Sequence, residues 1–213
     1  MRQSRKIRTT ATPTFAFVVD GATEVWYLQM LKRNERHLRI NIKPEIPTKK
    51  SITDQYKLVK DLLNKEYTKV YWLVDLDNIL KESREAPRGR KTSLQIFNEY
   101  RQVLLNNHDN VEVLVNNPCL EFWFLVHFIN SSKNLSSCTK AEKELKKHLP
   151  GYEKTQRFFT RQDHDIYTKL KPLLPAAIKH ASQLGTFDQR EQQRAVCEMY
   201  QLFSTSELQG IPR

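Results

Sequence analysis

Glycine is scarce in this chain, with five among 213 residues. Neither GxxxxGKS/T nor GxGxxG occurs, which excludes nucleotide binding through loops that cradle phosphate on successive backbone N–H groups. A GxSxG elbow and an HExxH helix are also missing, so α/β-hydrolase and zinc-protease chemistry have no residues to build on. The three cysteines, Cys119, Cys138 and Cys197, are widely spaced with no CxxC pair. That spacing argues against a disulfide framework and a structural zinc site, and for a reducing, cytoplasmic compartment. No apolar run reaches the about 18 residues that span a bilayer, so a membrane role is not expected. The basic opening, Met1 to Arg8, lacks the apolar centre of a signal peptide. Hydrophobic residues are 39% of the chain, below the usual share, yet strand and helix patterns run nearly end to end. Internal repeats and low-complexity segments are lacking.

Positive charge is abundant. The formal net charge is +11 and the pI about 9.6. Lysines and arginines spread through 2–8, 32–39, 84–91, 140–147 and 154–171. Such an excess implies a nucleic-acid partner, with solubility or an acidic protein partner as the alternatives.

Residues 14–20 read as a buried strand. Residues 22–33 follow as a helix, with Val25, Leu28 and Leu31 at helical spacing. Leu38, Ile40 and Ile42 alternate with Arg39, Asn41 and Lys43 as a half-exposed strand. Ser51 starts a helix carrying Leu58, Leu62 and Leu63 on one side, and 69–75 form a second buried strand. The charged segment 81–91, with Pro87 and Gly89, reads as a loop. A helix on Leu94, Phe97, Tyr100, Val103 and Leu104 precedes a short strand at 111–115. This alternation predicts a parallel sheet covered by helices. Beyond Pro118 the pattern turns helical, over 119–130, 139–148, 163–183 and 188–203, with a Ser/Asn-rich turn after the first. The expected organisation is a basic arm at 1–13, an α/β core at 14–130 and a helical part at 131–213.

Both buried strands deliver acids at their ends. The first is Thr14-Phe15-Ala16-Phe17-Val18-Val19-Asp20-Gly21-Ala22-Thr23-Glu24, the second Val70-Tyr71-Trp72-Leu73-Val74-Asp75-Leu76-Asp77. In open α/β sheets that edge is where ligands bind, and clustered carboxylates are hard ligands suited to Mg²⁺ or Mn²⁺. Gly21 permits a tight turn that leaves Glu24 one helical turn beyond Asp20. A second reading makes Asp20 an N-cap and Glu24 a first-turn acid matched to the helix dipole. Asp75 and Asp77 face the same way if the strand continues, as ligands; otherwise they belong to a solvated loop with Asn78 as cap. Glu121, near the start of the helix in Asn116-Asn117-Pro118-Cys119-Leu120-Glu121-Phe122-Trp123-Phe124-Leu125-Val126-His127-Phe128, is either a dipole acid or a pocket residue. His127 sits on the apolar stripe with Leu120, Trp123 and Phe124 and reads as a packed histidine.

Together, Val18 to Glu24, Leu73 to Asp77, Asn117 to Phe128 and Tyr152-x-Lys154 resemble the RloB-like family, which includes AbiL-type abortive-infection components. Asn-Pro-Cys-x-Glu-x-Trp is the most specific of these runs. The resemblance covers about residues 14–180. It implies a Toprim-like α/β fold with a helical C-terminal extension. It also implies a Mg²⁺- or Mn²⁺-dependent nuclease acting on DNA or RNA in antiphage defence, beside an ATPase partner. On that basis Asp75 and Asp77 anchor metal. Asp20 and Glu24 hold the same or a second ion and orient the attacking water, Glu121 joins the shell, and Lys154 neutralises charge at the scissile phosphate. The family's first acid is normally Glu, whereas Asp20 is one methylene shorter, and the tail from Phe187 lacks an Asn-Pro-Ser/Thr segment. The Asp20 departure favours an alternative, a non-catalytic nucleic-acid-binding or scaffold subunit on the same fold.

Overall fold

The computed structural model describes residues 12–38, 41–47, 51–130, 135, 137–208 and 211. Nearly all of the expected basic arm, Arg39 and Ile40 of the expected second strand, and most of the Ser/Asn-rich turn lie outside the described residues.

A five-stranded sheet in the order β2-β1-β3-β4-β5 forms the centre. Its strands are β1 (Thr14–Val18), β2 (Asn41–Glu45), β3 (Lys69–Asp75), β4 (Val111–Asn117) and β5 (Val196–Cys197). The first four run parallel, and β5 pairs antiparallel with β4. The fold is mixed α/β, a mostly parallel sheet flanked by helices, compatible with a Toprim-like fold. Pro44 sits in β2, the edge strand, where a missing N–H donor is tolerated.

Strand periodicity divides the core into two layers. Phe15, Phe17, Val19, Tyr71, Leu73 and Leu114 pack on one face, with α1 (Ala22–Asn34), α5 (Leu120–Leu125), α6 (Cys138–His148) and the later helices. Ala16, Val18, Val70, Trp72, Val74, Val113 and Val115 pack on the other, against α2 (Ile52–Leu63), α3 (Leu76–Glu85) and α4 (Ser93–Asn107). The chain passes from β1 outward to β2, then returns across β1 to β3. The crossover direction therefore reverses between β1 and β3, which makes the crevice at their carboxyl ends the switch point of the sheet.

Local chemistry sets the helix starts. Ser51, Thr92, Ser137 and Asp165 each accept a backbone N–H from the first turn of α2, α4, α6 and α8 (Ile166–Leu170), and Gln95 returns the bond at Thr92 as a capping box. Pro172 and Pro175 divide the predicted helix over 163–183 into α8, a 3₁₀ turn (Lys171–Leu173) and α9 (Leu174–Gln183).

Three expectations are corrected. The segment 81–91 is not a loop throughout, because α3 begins directly at the end of β3 and runs to Glu85. The charged residues there form the outer face of a helix whose inner face carries Leu76, Ile79 and Leu80. The predicted helix over 188–203 is instead β5 followed by the short α10 (Met199–Leu202). A buried carboxylate fixes this arrangement: Glu198 accepts Val115 N–H at 2.8 Å and Phe187 N–H at 2.9 Å. Finally, Cys119 and Cys138 are disulfide-bonded with Cα atoms 5.5 Å apart, contrary to the reading of three unpaired thiols. A separation of 19 residues in the chain hides a contact that the packing of α5 on α6 creates.

Glu198→Ala leaves two buried N–H groups without an acceptor, and a loss of about 2–4 kcal/mol is expected. Urea unfolding is the measurement. A midpoint equal to wild type would show that these bonds are not what holds β5 in the sheet.

Candidate active site

The switch-point crevice gathers the acids singled out in the sequence. Asp20 lies just past β1, Asp75 ends β3, Asp77 lies in the first turn of α3 and Glu24 in the first turn of α1. Neither proposed cap survives. Gly21, in extended conformation, is the N-cap of α1, and Asp75, at the N-cap of α3, makes no side-chain capping bond. Asp77 is helical rather than the next-but-one residue of a strand. Its N–H donates to the Pro118 carbonyl at 3.1 Å, which ties the α3 start to the Asn117-Pro118 segment. Its carboxylate accepts Asn78 N–H at 2.8 Å.

Alternation along β1 and β3 sends these acids to different sides. Asp75 continues the Tyr71, Leu73 face, where α1 supplies Glu24 and α5 supplies Glu121. Asp20 continues the opposite face and accepts the Gln55 amide at 3.3 Å, while Gln55 in turn accepts Trp72 Nε1–H at 2.8 Å. A pocket of about 230 Å³ opens there, lined by Asp20, Gln55, Asp75, Asn78 and Glu82. Asp75 thus borders both halves.

The electrostatics are those of crowded like charges. Packing around its carboxyl, then the charges of Glu24 and Glu121, push the pKa of half-buried Asp75 well above the usual carboxylate value. Burial raises Glu24 as well, with Glu121 and Asp20 adding to it, although the Thr23 hydroxyl donates to Glu24 Oε2 at 3.0 Å. Desolvation likewise raises Asp77.

Glu121 is 2% exposed and anchors the far side of the crevice. Its Oε1 accepts the Tyr152 hydroxyl at 2.8 Å and meets Lys154 Nζ at 2.9 Å. Burial works against the charge of Lys154, but the neighbouring Glu121 outweighs it and holds the ammonium pKa above its usual value. Both sulfurs of the Cys119–Cys138 pair face Glu121 Oε2, at 2.9 and 3.1 Å. His127 is buried against Trp123 with Nδ1 on the Trp123 carbonyl at 2.9 Å, and burial lowers its pKa to about 4.

The structure brings Glu24, Asp75, Asp77, Glu121 and Lys154 into one electrostatic group, and Asp20, at its edge, acts on Glu24 and Asp77. Among the described residues, no three of the five carboxylates bring ligand atoms within 4.8 Å of one another. Cys119, Glu121 and Cys138 do so. Gln55 was not picked out from the sequence, although its signal was present: it is a polar residue on the buried stripe Ile52, Val59, Leu62 of α2. Glu82 was missed, and Asn78 was read only as a cap, because charged and amide residues on a helix surface carry no such mark.

A family model described as RloB-like protein matches residues 15–205. The chain belongs to the RloB-like family. No match was found among curated proteins or solved structures. In this RloB-like chain the match runs from β1 through α10, so the C-terminal helices and β5 lie within the family's common extent. No helix among the described residues is long and apolar enough to cross a membrane.

Proposed function

We propose that this RloB-like protein is a metal-dependent nuclease, hydrolysing phosphodiester bonds of DNA or RNA. The observation that carries the reading is the set of carboxylates at the switch point whose proton affinities are raised by burial and by one another. Such a set is unfavourable without a cation, and its donors are hard oxygens, which suit Mg²⁺ or Mn²⁺ in kind; closing on an ion would draw their ligand atoms nearer than the 4.8 Å that no three of them meet. Asp75 and Asp77 would hold the ion with Glu24, Asp20 and Glu121 completing its surroundings. A bound divalent ion supplies charge neutralisation at phosphate and a more acidic water. Lys154 keeps its proton and presents it beside Glu121, positioned to offset negative charge at a phosphate. Gln55 fixes Asp20, whose carboxylate orients a water from the pocket side. The net charge of +11 supplies backbone affinity without base reading. A role in antiphage defence beside an ATPase, which the family resemblance suggests, and a cytoplasmic location complete the proposal.

A second reading, a non-catalytic nucleic-acid-binding or scaffold subunit, is favoured by Asp20 being one methylene shorter than the family's usual Glu and engaged by the Gln55 amide. One experiment separates the two. The protein is incubated, with and without a neighbouring ATPase, with plasmid, single-stranded DNA and total RNA in Mn²⁺. The nuclease reading expects cleavage that EDTA stops and that Asp20→Glu, which restores the family's usual side chain, keeps or increases. Binding without cleavage under every condition, unchanged by Asp20→Glu, supports the scaffold. Affinity in EDTA should fall steeply with salt, the slope counting phosphate contacts, and a flat response would detach the positive charge from nucleic acid.

A further inference from the structure

The two oxygens of Glu121 have different company. Oε1 has the Tyr152 hydroxyl and the Lys154 ammonium, both conventional donors. Oε2 faces Cys119 Sγ at 2.9 Å and Cys138 Sγ at 3.1 Å, and these sulfurs are bonded to each other. A thiol carries a hydrogen it can donate, whereas a bridged sulfur carries none. Reduction therefore gives Oε2 up to two donors that the bridged state withholds. The Cα separation of 5.5 Å lies within the usual disulfide range, so the bridge fits this backbone.

We propose that Cys119 and Cys138 form a reversible dithiol–disulfide pair that sets the hydrogen bonding of Glu121 Oε2, and through it how readily that oxygen accepts a cation. The consequence for metal rests on the nuclease reading above; the thiol chemistry does not. Cys119 is buried at the start of α5, while Cys138, the first residue of α6, is only partly buried and is the more accessible residue of the two. Lys154 Nζ lies 3.5 Å from it. In exchange with a small-molecule disulfide RS–SR, the Cys138 sulfur, having given up its proton, attacks one sulfur and expels RS⁻. The Cys119 sulfur, likewise deprotonated, then attacks Cys138 in the mixed disulfide and expels the second RS⁻. The two protons end on the two released thiols. Two protein thiols are oxidised, one RS–SR is reduced to two RSH, and a dithiol reductant reverses the sequence.

The test uses the whole chain in EDTA, reduced with a dithiol or oxidised with a small-molecule disulfide. Alkylation followed by intact mass counts thiols, and a reduced-minus-oxidised infrared difference spectrum reads the carboxylates. Two additional alkylations are expected on reduction, together with a carboxylate-stretch difference band. The band should vanish in Cys138→Ser, which cannot bridge, and in Glu121→Gln. If Glu121→Gln fails to fold, Tyr152→Phe, which removes the donor to Glu121 Oε1, should shift the band and so assign it to Glu121. Without EDTA, Mn²⁺ should bind roughly tenfold more tightly to the oxidised form, because a charged oxygen has lost its thiol donors. Cys138→Ser should show no such redox dependence. Failure to bridge under oxidant, or a bridge without a Glu121-dependent band, overturns the proposal. The band with equal Mn²⁺ affinity in both states removes the coupling to the cation. The band with no Mn²⁺ binding in either state refutes the metal reading of the crevice and leaves the thiol pair standing.

Discussion

Asp75→Asn should lower cleavage about a thousandfold while making the apoprotein more stable. The first effect follows from the role proposed for Asp75: loss of a ligand in such a site removes several kcal/mol of transition-state stabilisation, and about 4 kcal/mol is a factor of roughly a thousand. The second follows from electrostatics alone. The pKa of Asp75 is raised in the folded protein, by packing and by Glu24 and Glu121. Its contribution to stability is therefore fully present below the ordinary Asp value and is lost as pH rises through the raised one. Asparagine keeps the shape without the charge, so it escapes that loss. In EDTA, the melting temperature of Asp75→Asn minus that of wild type should start near zero at about pH 3.5 and grow toward neutral pH. Added Mn²⁺ should raise the melting temperature of wild type and do so far less in the mutant, since only native-state binding stabilises. Curves that stay parallel across pH would mean that Asp75 is not under electrostatic pressure. Undiminished cleavage in the mutant would move the active site elsewhere.

Lys154→Met should destabilise the fold by about 2–3 kcal/mol. Glu121 is 2% exposed, and Lys154, 40% exposed, supplies the cation at 2.9 Å from its carboxylate. Removing one partner of a fully buried pair leaves an uncompensated charge, worth roughly 3–5 kcal/mol, and the exposure of the lysine reduces that figure. Met preserves the length of the stem, so little packing is lost. The double mutant Lys154→Met/Glu121→Gln should recover most of the loss, because a neutral amide at 121 no longer needs a counterion. Urea midpoints for the four proteins of this cycle give the coupling. A Lys154→Met midpoint within about 0.5 kcal/mol of wild type would show that the ion pair does not carry Glu121.

The alternation of apolar strands and amphipathic helices was legible because each obeys a local period, and so the parallel sheet could be anticipated from residues 14–115. The acids at both strand ends were legible for the same reason, since the residue that ends a buried run must lie at the sheet's edge. The 188–203 segment was misread because β5 needs only Val196 and Cys197, too short for any period. What fixes them is the Glu198 carboxylate reaching Val115 and Phe187, a bond between distant parts of the chain.

The residues that surround the acids show the same division. The sequence by itself determined the layer to which each strand residue belongs, the carboxylates at Asp20, Glu24, Asp75 and Asp77, and a net charge of +11. Tertiary structure alone decided that Gln55, from α2, reaches Asp20 at the edge of the crevice. It also decided that α6 closes Cys138 onto Cys119, and that Tyr152 and Lys154 converge on Glu121. Spacing along a chain fixes which face a side chain takes within one element. Which faces of different elements meet depends on how the layers pack, and no local period records that.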